Sequence, residues 1–162
     1  MLRIIIDASV VLKWIPGEDE ESVSESRQIY EMMMDDRLEI YSPTFLLIEV
    51  LNILTRKRKA KYSLVKKDID RLRNGKIRLV DLGTYKFAGL IDIVYKYKIT
   101  AYDALYCYLA QEKNCKLLTF DRQLLKLSDL TIDIDRLLLN TKKANLTNKY
   151  LIVQYIDNKK VK

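Results

Sequence analysis

The sequence contains no histidine, and this absence excludes several kinds of active site at once. A Ser-His-Asp triad, a Cys-His dyad, a histidine-based ribonuclease and a zinc ion held by imidazole all need the missing side chain. Catalysis by this chain would therefore have to use carboxylates, lysine, tyrosine, a hydroxyl group or a metal ion held by oxygen ligands.

Cysteine, glycine and proline are also scarce. The two cysteines, Cys107 and Cys115, have the spacing of neither a zinc motif nor a redox motif, so both are expected to pack as small apolar side chains. Four glycines and two prolines leave little room for linkers, and a length of 162 residues favours one domain. No apolar run reaches membrane-spanning length and no signal peptide is recognisable, so the cytoplasm is the expected location.

Positive charge is what the chain has in excess. Lysine and arginine number 29 against 22 acidic residues, which gives a net charge of +7 and suits a polyanionic partner, although a solvated basic surface is the alternative. The stretch RKRKAKYSLVKK (56–67) is the densest basic segment and contains no acid. It indicates either contacts with nucleic-acid phosphates or a solvated helix end. The candidate phosphate contacts are Arg56, Lys57, Arg58, Lys59 and Lys61.

Short aliphatic runs alternate with helical patterns along the chain. This alternation predicts an α/β fold with a parallel sheet. Strands are expected at 2–6, 38–42, 76–82, 115–120 and 130–134. A helix is expected over 43–59, with Pro43 at its start, and another over the apolar segment TAYDALYCYLA (100–110). In the tail, KYLIVQYI (149–156) is either an extra strand or an interaction segment.

Four acidic residues interrupt these otherwise apolar segments. Asp7 and Asp121 each follow a predicted strand, and ligands bind at the carboxyl ends of strands in open parallel sheets. Asp103 lies in the first turn of the helix over 100–110, and Glu49 lies inside FLLIEVLNIL. The four positions are therefore candidates for one shared site.

Each of these acids also has a purely structural interpretation. Asp7 and Asp121 are able to cap the helix that follows each of them. Asp103 stands three residues after Thr100, which allows a capping box with aspartate in place of glutamate. Glu49 fits a solvated stripe along its helix.

A shared site would have to overcome the repulsion between its own carboxylates. Two such charges about 5 Å apart, at an effective dielectric constant near 20, cost on the order of 3 kcal/mol. Divalent cations remove this cost, and ligation by oxygen alone selects Mg²⁺ or Mn²⁺. In a basic protein, such a site indicates hydrolysis of phosphodiester bonds.

Four segments together resemble the PIN domain, and most closely the VapC-type toxin ribonucleases. They are IIIDASVVLKWI, PTFLLIEVLNIL, YDALYCYLA and LLTFDRQLL, and the resemblance extends over about residues 2–134. It implies a three-layer α/β/α sandwich with a central parallel sheet of four to five strands. The expected nuclease domain is 1–135, and 136–162 is expected to be a C-terminal extension of the same domain.

The resemblance also implies an activity, a cofactor and partners. It implies an endoribonuclease that depends on Mg²⁺ or Mn²⁺ and serves as the toxin of a toxin–antitoxin pair, with RNA as substrate, a small antitoxin protein as partner and a second copy forming a homodimer. The positions that match the family's metal-binding and catalytic acids are Asp7, Glu49, Asp103 and Asp121. The positions that match its supporting residues are Ser9, Thr119 and Asn52.

Three other functions remain open at this stage. The segment DASVV partly resembles the start of haloacid-dehalogenase-type phosphatases, in which Asp7 would be a nucleophile, but position 9 is Ser9 where that motif has a second aspartate. A stand-alone RNA-processing nuclease of the PIN type is a second possibility. The third is a PIN-like domain that binds RNA or protein without cleaving it.

Overall fold

The chain folds around a sheet of five parallel strands. In the computed structural model, residues 2–16, 22–83 and 86–141 are described, and all statements here concern them. The strands are β1 (Leu2–Ile6), β2 (Leu38–Pro43), β3 (Arg78–Val80), β4 (Lys116–Leu118) and β5 (Thr131–Ile132). Their order in the sheet is β3-β2-β1-β4-β5, so β1 is central and the chain crosses over it between β3 and β4.

Seven helices connect and flank these strands. They are α1 (Ala8–Val11), α2 (Val23–Met34), α3 (Phe45–Asn52), α4 (Tyr62–Arg73), α5 (Phe87–Tyr97), α6 (Ala101–Glu112) and α7 (134–141). Short 3₁₀ turns follow at Leu12–Trp14 and Leu124–Lys126, and α3 continues into one π-helical turn at Ile53–Lys57. No helix in the described part of the chain has both the length and the apolar character to cross a membrane.

The central strand shows why the fold has three layers. Ile4, Ile5 and Ile6 are each at most 1% exposed, although successive side chains of a strand point to opposite faces of the sheet. Both faces must therefore be covered by helices; α6, for example, packs against β1, β2 and β4. The predicted α/β/α sandwich with a parallel sheet is confirmed.

The strands expected at 76–82 and 115–120 are shorter than predicted, and three other differences have local reasons. Pro43 ends β2, where it pairs with Val80, instead of beginning a helix. The next residue still belongs to the sheet edge of this pairing, because the N–H of Thr44 donates to the Val80 carbonyl at 3.0 Å. The helix expected after Asp121 is only a 3₁₀ turn. The last strand stops at Ile132, since the Asp133 carboxylate accepts the backbone N–H of Arg136 and so begins α7.

Helix α7 crosses the boundary expected at residue 135. Its side chains Leu137 and Leu138 are buried in the core, so the chain as far as residue 141 continues the same packed unit. Residues 142–162 lie outside the described residues, and with them the extra strand or interaction segment expected at 149–156.

Candidate active site

Asp7 occupies the carboxyl end of the central strand and is buried, with 6% of its surface exposed. It is the N-cap of α1, because its Oδ1 accepts the backbone N–H groups of Ser9 (2.9 Å) and Val10 (3.3 Å). The Ser9 hydroxyl donates to the same oxygen. The other oxygen, Oδ2, accepts the hydroxyl of Thr119 from the end of β4. Asp7 therefore caps α1, as expected, and also lies at the carboxyl end of the central strand.

Ser9 and Thr119 connect this carboxylate to the chain beyond β4. Each hydroxyl gives its proton to Asp7 and accepts a backbone N–H in return: Phe120 donates to Ser9 Oγ and Asp121 donates to Thr119 Oγ1, both at 2.9 Å. The single donor of each hydroxyl is therefore directed at Asp7, and the backbone N–H that each accepts holds the hydroxyl in that orientation.

The Asp7 carboxylate is in an environment that disfavours its charge. Burial raises the pKa of Asp7 from 3.8 to about 6, against the opposing effect of the hydrogen bonds from Ser9 and Thr119, and the charge of Glu49 adds to the rise. No lysine or arginine of the described residues forms an ion pair with Asp7. A buried carboxylate without a cationic partner is costly, and such groups concentrate at functional sites.

Glu49 lies half-buried on α3, near Asp7 and Asp103. Its Oε2 accepts the hydroxyl of Tyr106, a buried residue of α6, at 2.6 Å. Burial raises the pKa of Glu49, the charge of Asp103 raises it further, and the Tyr106 bond and the charge of Lys57 oppose the rise. Three of the predicted acids therefore interact electrostatically in one region, at the carboxyl end of β1.

Asp103 stands in the first turn of α6. Thr100 is the N-cap of the helix, because its hydroxyl oxygen accepts the backbone N–H of Asp103 at 3.1 Å. The same hydroxyl donates to Asp103 Oδ2 at 2.7 Å. The expected capping box is therefore incomplete, because the Asp103 carboxylate accepts a hydrogen bond from the Thr100 hydroxyl and not from the Thr100 backbone N–H.

Asp121 is exposed and joins the other acids only indirectly. Its Oδ1 accepts the backbone N–H groups of Gln123 (2.6 Å) and Leu124 (3.3 Å), so it caps the 3₁₀ turn that follows. Its own backbone N–H bonds Thr119, which in turn bonds Asp7. The structure thus places the backbone of Asp121 near Asp7, just beyond β4, while the exposed Asp121 carboxylate is not among the charges that shift the pKa of Asp7 or Glu49.

The side chains of Asp7, Glu49, Asp103 and Asp121 have the chemistry to bind a hard divalent cation. In this arrangement no three acidic or cysteine side chains of the described residues stand close enough to hold one ion. However, the cluster offers oxygen ligands only, and none of its acids is paired with a described cation. Moreover, one carboxylate oxygen in each of Glu49, Asp103 and Asp121 accepts no hydrogen bond from the described residues.

The predicted basic stretch divides into two kinds of residue. Arg58 is half-buried, and its guanidinium donates to the carbonyls of Leu12 (3.2 Å) and Ile15 (3.3 Å), which ties the π-helical turn to the segment after α1. The other four basic side chains of the prediction are exposed: Arg56, Lys57, Lys59 and Lys61. Asn52, also exposed, ends α3 three residues after Glu49.

Tyr106 is the member of the site that the sequence analysis did not identify. A tyrosine in an apolar helix is ordinarily part of the core, and its ring is indeed 2% exposed. The one sequence signal is its spacing of three residues from Asp103, which places both side chains on the same face of the helix.

Comparison with known families and structures gives a consistent result. The sequence profile of the family described as the PIN domain matches residues 4–130. No curated protein matches the chain over its sequence.

Several solved structures share the fold at low sequence identity. PAE2754 from Pyrobaculum aerophilum is 17% identical, with 88% of this chain and 96% of that chain covered and a TM-score of 0.64. A toxin–antitoxin complex from Klebsiella pneumoniae is 14% identical, with 80% and 96% covered and a TM-score of 0.59. VapC20 from Mycobacterium tuberculosis, a sarcin-ricin loop cleaving toxin, is 11% identical, with 74% and 90% covered and a TM-score of 0.60.

Proposed function

Because the chain belongs to the PIN domain family, we propose that it is a metal-dependent endoribonuclease and the toxin of a toxin–antitoxin pair. The observation that carries the proposal is the buried Asp7 carboxylate at the carboxyl end of β1, with Glu49 and Asp103 nearby and no cationic partner among the described residues. Toxins among the structures with the same fold support the biological role.

The cation in this proposal is Mg²⁺ or Mn²⁺, held by Asp7, Glu49, Asp103 and Asp121. When bound, it would activate a water molecule for attack on the scissile phosphate and offset the negative charge of that phosphate. The protein's own contribution is to hold its ligands ready. Ser9 and Thr119 fix both oxygens of Asp7, and backbone N–H groups fix one oxygen of Asp121.

The RNA substrate is the polyanion that the charge of the chain favours. We propose that Arg56, Lys57, Lys59 and Lys61 contact phosphates, because they are exposed and follow directly on the helix that carries Glu49. Each phosphate they neutralise would release counterions, so binding should weaken steeply as salt is raised. Arg58 belongs to the same stretch, but its bonds to two carbonyls give it a structural task as well.

The remaining partners of the proposal are proteins. A small antitoxin would silence the enzyme, in keeping with the toxin–antitoxin complex among the similar folds. A second copy of the chain would form a homodimer, and the cytoplasm would be the location of both.

Incubation of the purified chain with labelled RNA tests the catalytic part of the proposal. We expect cleavage with Mg²⁺ or Mn²⁺, leaving 3′-hydroxyl and 5′-phosphate ends, no cleavage in EDTA, and loss of cleavage in Asp7→Asn. Asp92→Asn, on the exposed side of α5, is the matched control for removal of one negative charge. Wild-type protein that binds RNA without cutting it would indicate a non-catalytic module, and a phosphorylated Asp7 would indicate a phosphatase.

Expression in a bacterial host tests the toxin role separately. We expect growth arrest from the wild type but not from Asp7→Asn. Co-expression of a small reading frame adjacent to the gene should restore growth. A chain that cleaves RNA without arresting growth would instead be a stand-alone processing nuclease.

A further inference from the structure

We propose that Tyr106 is a positioning residue whose hydroxyl holds the Glu49 carboxylate beside Asp7 and Asp103. The proposal rests on the function proposed above and adds a role for a side chain outside the set of acids. It starts from the hydrogen bond of 2.6 Å between Tyr106 Oη and Glu49 Oε2, which joins α6 to α3.

The position of Tyr106 on α6 relates two acids of the site. Tyr106 follows Asp103 by three residues, so the helix places both on one face. Because the ring is 2% exposed and packed in the core, the hydroxyl has little freedom to move. Glu49 is thereby fixed relative to the helix that carries Asp103, and the charges of the two acids interact.

A second contact between the same helices repeats this arrangement one turn away. The rings of Phe45 on α3 and Tyr102 on α6 are stacked, with centroids 5.0 Å apart and planes at 8°. Phe45 precedes Glu49 by four residues, and Tyr102 precedes Tyr106 by four. The aromatic stack holds the helices together at the more exposed end, while the Tyr106 bond controls one carboxylate at the buried end.

The hydroxyl is suited to this role because it remains a donor. A tyrosine side chain has one O–H donor, and here that donor is directed at Glu49 Oε2. In the described residues Tyr106 is the one hydrogen-bond donor to the Glu49 side chain. Without it, a glutamate with three rotatable bonds would be free to turn away from Asp7.

The variant Tyr106→Phe removes the hydroxyl and keeps the ring. If Tyr106 positions a ligand, the affinity for Mn²⁺ should fall on the order of 10-fold, as is typical when a group that orients a metal ligand is lost. Titration calorimetry of the full chain with MnCl₂ measures this directly and does not depend on RNA cleavage. Circular dichroism verifies that each variant is folded.

Tyr97→Phe is a closely matched control. Tyr97 also donates to a carboxylate at 2.6 Å, that of Asp129, but this bond is exposed and involves none of the acids of the site. The same chemical change there should leave the affinity for Mn²⁺ unchanged. A loss in both variants would indicate a general effect of destabilisation and would refute the proposal.

The double variant decides whether Tyr106 acts through Glu49. In a Glu49→Gln background the further change Tyr106→Phe should lower Mn²⁺ affinity by less than two-fold, because the ligand that it positions is already altered. An equal loss in both backgrounds, or a wild-type affinity in Tyr106→Phe alone, would overturn the role of Tyr106 only. A wild type that binds no Mn²⁺ would overturn the proposed metal site and this role together.

Discussion

Removal of the Asp7 charge should stabilise the metal-free protein at neutral pH. The pKa of Asp7 is about 6 in the folded chain against an ordinary value of 3.8, so ionisation of this group opposes folding. At about 1.4 kcal/mol for each tenfold change in the dissociation constant, the full penalty is about 3 kcal/mol above pH 6. Asparagine avoids that penalty but leaves the Thr119 hydroxyl without its acceptor, at a cost of about 1 kcal/mol.

The sign of the effect changes with pH, which makes the prediction specific. Between about pH 4 and pH 6 the folded state binds more protons at Asp7 than the unfolded state, so the contribution of Asp7 to the free energy of unfolding falls as pH rises. Near pH 4 the penalty is only about 0.5 kcal/mol, so Asp7→Asn should be about 0.5 kcal/mol less stable than the wild type there. Above pH 6.5 it should be about 2 kcal/mol more stable.

Urea unfolding in EDTA, followed by circular dichroism and by the fluorescence of the single tryptophan, Trp14, measures this difference. The series should extend from pH 4 to pH 7.5 at constant ionic strength, with Asp92→Asn as the control for net charge. Carboxylates that do not interact with Asp7 titrate alike in wild type and variant, so subtraction leaves the contribution of Asp7 together with its interaction with Glu49. A difference between the two proteins that stays constant over this range would refute the reasoning.

Three further predictions concern the metal, the thiols and the basic stretch. Above pH 6, Mg²⁺ or Mn²⁺ should raise the urea midpoint of the wild type and leave that of Asp7→Asn unchanged, because bound cations stabilise only the state that holds them. Burial raises the pKa of the Cys107 thiol to about 12, so at pH 8 a maleimide, followed by mass spectrometry, should label Cys115 well before Cys107. Arg58→Ala should lower the free energy of unfolding by about 1–3 kcal/mol, because two carbonyls lose a charged donor, whereas Arg56→Ala should weaken RNA binding in filter assays and change stability by less than about 0.5 kcal/mol.

The fold was predictable because local pattern and global packing agree. Ile4, Ile5 and Ile6 are apolar on both sides of the strand, which is the pattern expected of a strand whose sheet is covered on both faces. Pro43 shows the limit of local rules. Proline is favoured both at the start of a helix and at the end of a strand, and pairing with Val80, 37 residues later, determines which occurs here.

The candidate site was predictable only in part, because an aspartate in it can be a cap of the following segment, a member of the acidic cluster, or both. The Asp7 and Asp121 side chains cap the segments that follow them, and Asp7 also lies in the cluster, so the cap signal alone does not distinguish a site. The bond between Tyr106 and Glu49 depends on the packing of α6 against α3, which no periodicity reports. Arg58 likewise resembles its basic neighbours in sequence, but its guanidinium donates to the backbone carbonyl of Leu12, a contact that the sequence does not indicate.

The bond between Thr119 and Asp7 has a consequence for when the site forms during synthesis of the chain. Its partners are 112 residues apart, and β4 reaches its place beside β1 only after the intervening segments have been synthesised. During most of its synthesis, a growing chain therefore contains Asp7 but not yet the Thr119 hydroxyl that bonds it. If the protein harms the cell that makes it, as proposed above, chains that end before Thr119 would lack this bond, and the complete site would form only late in synthesis.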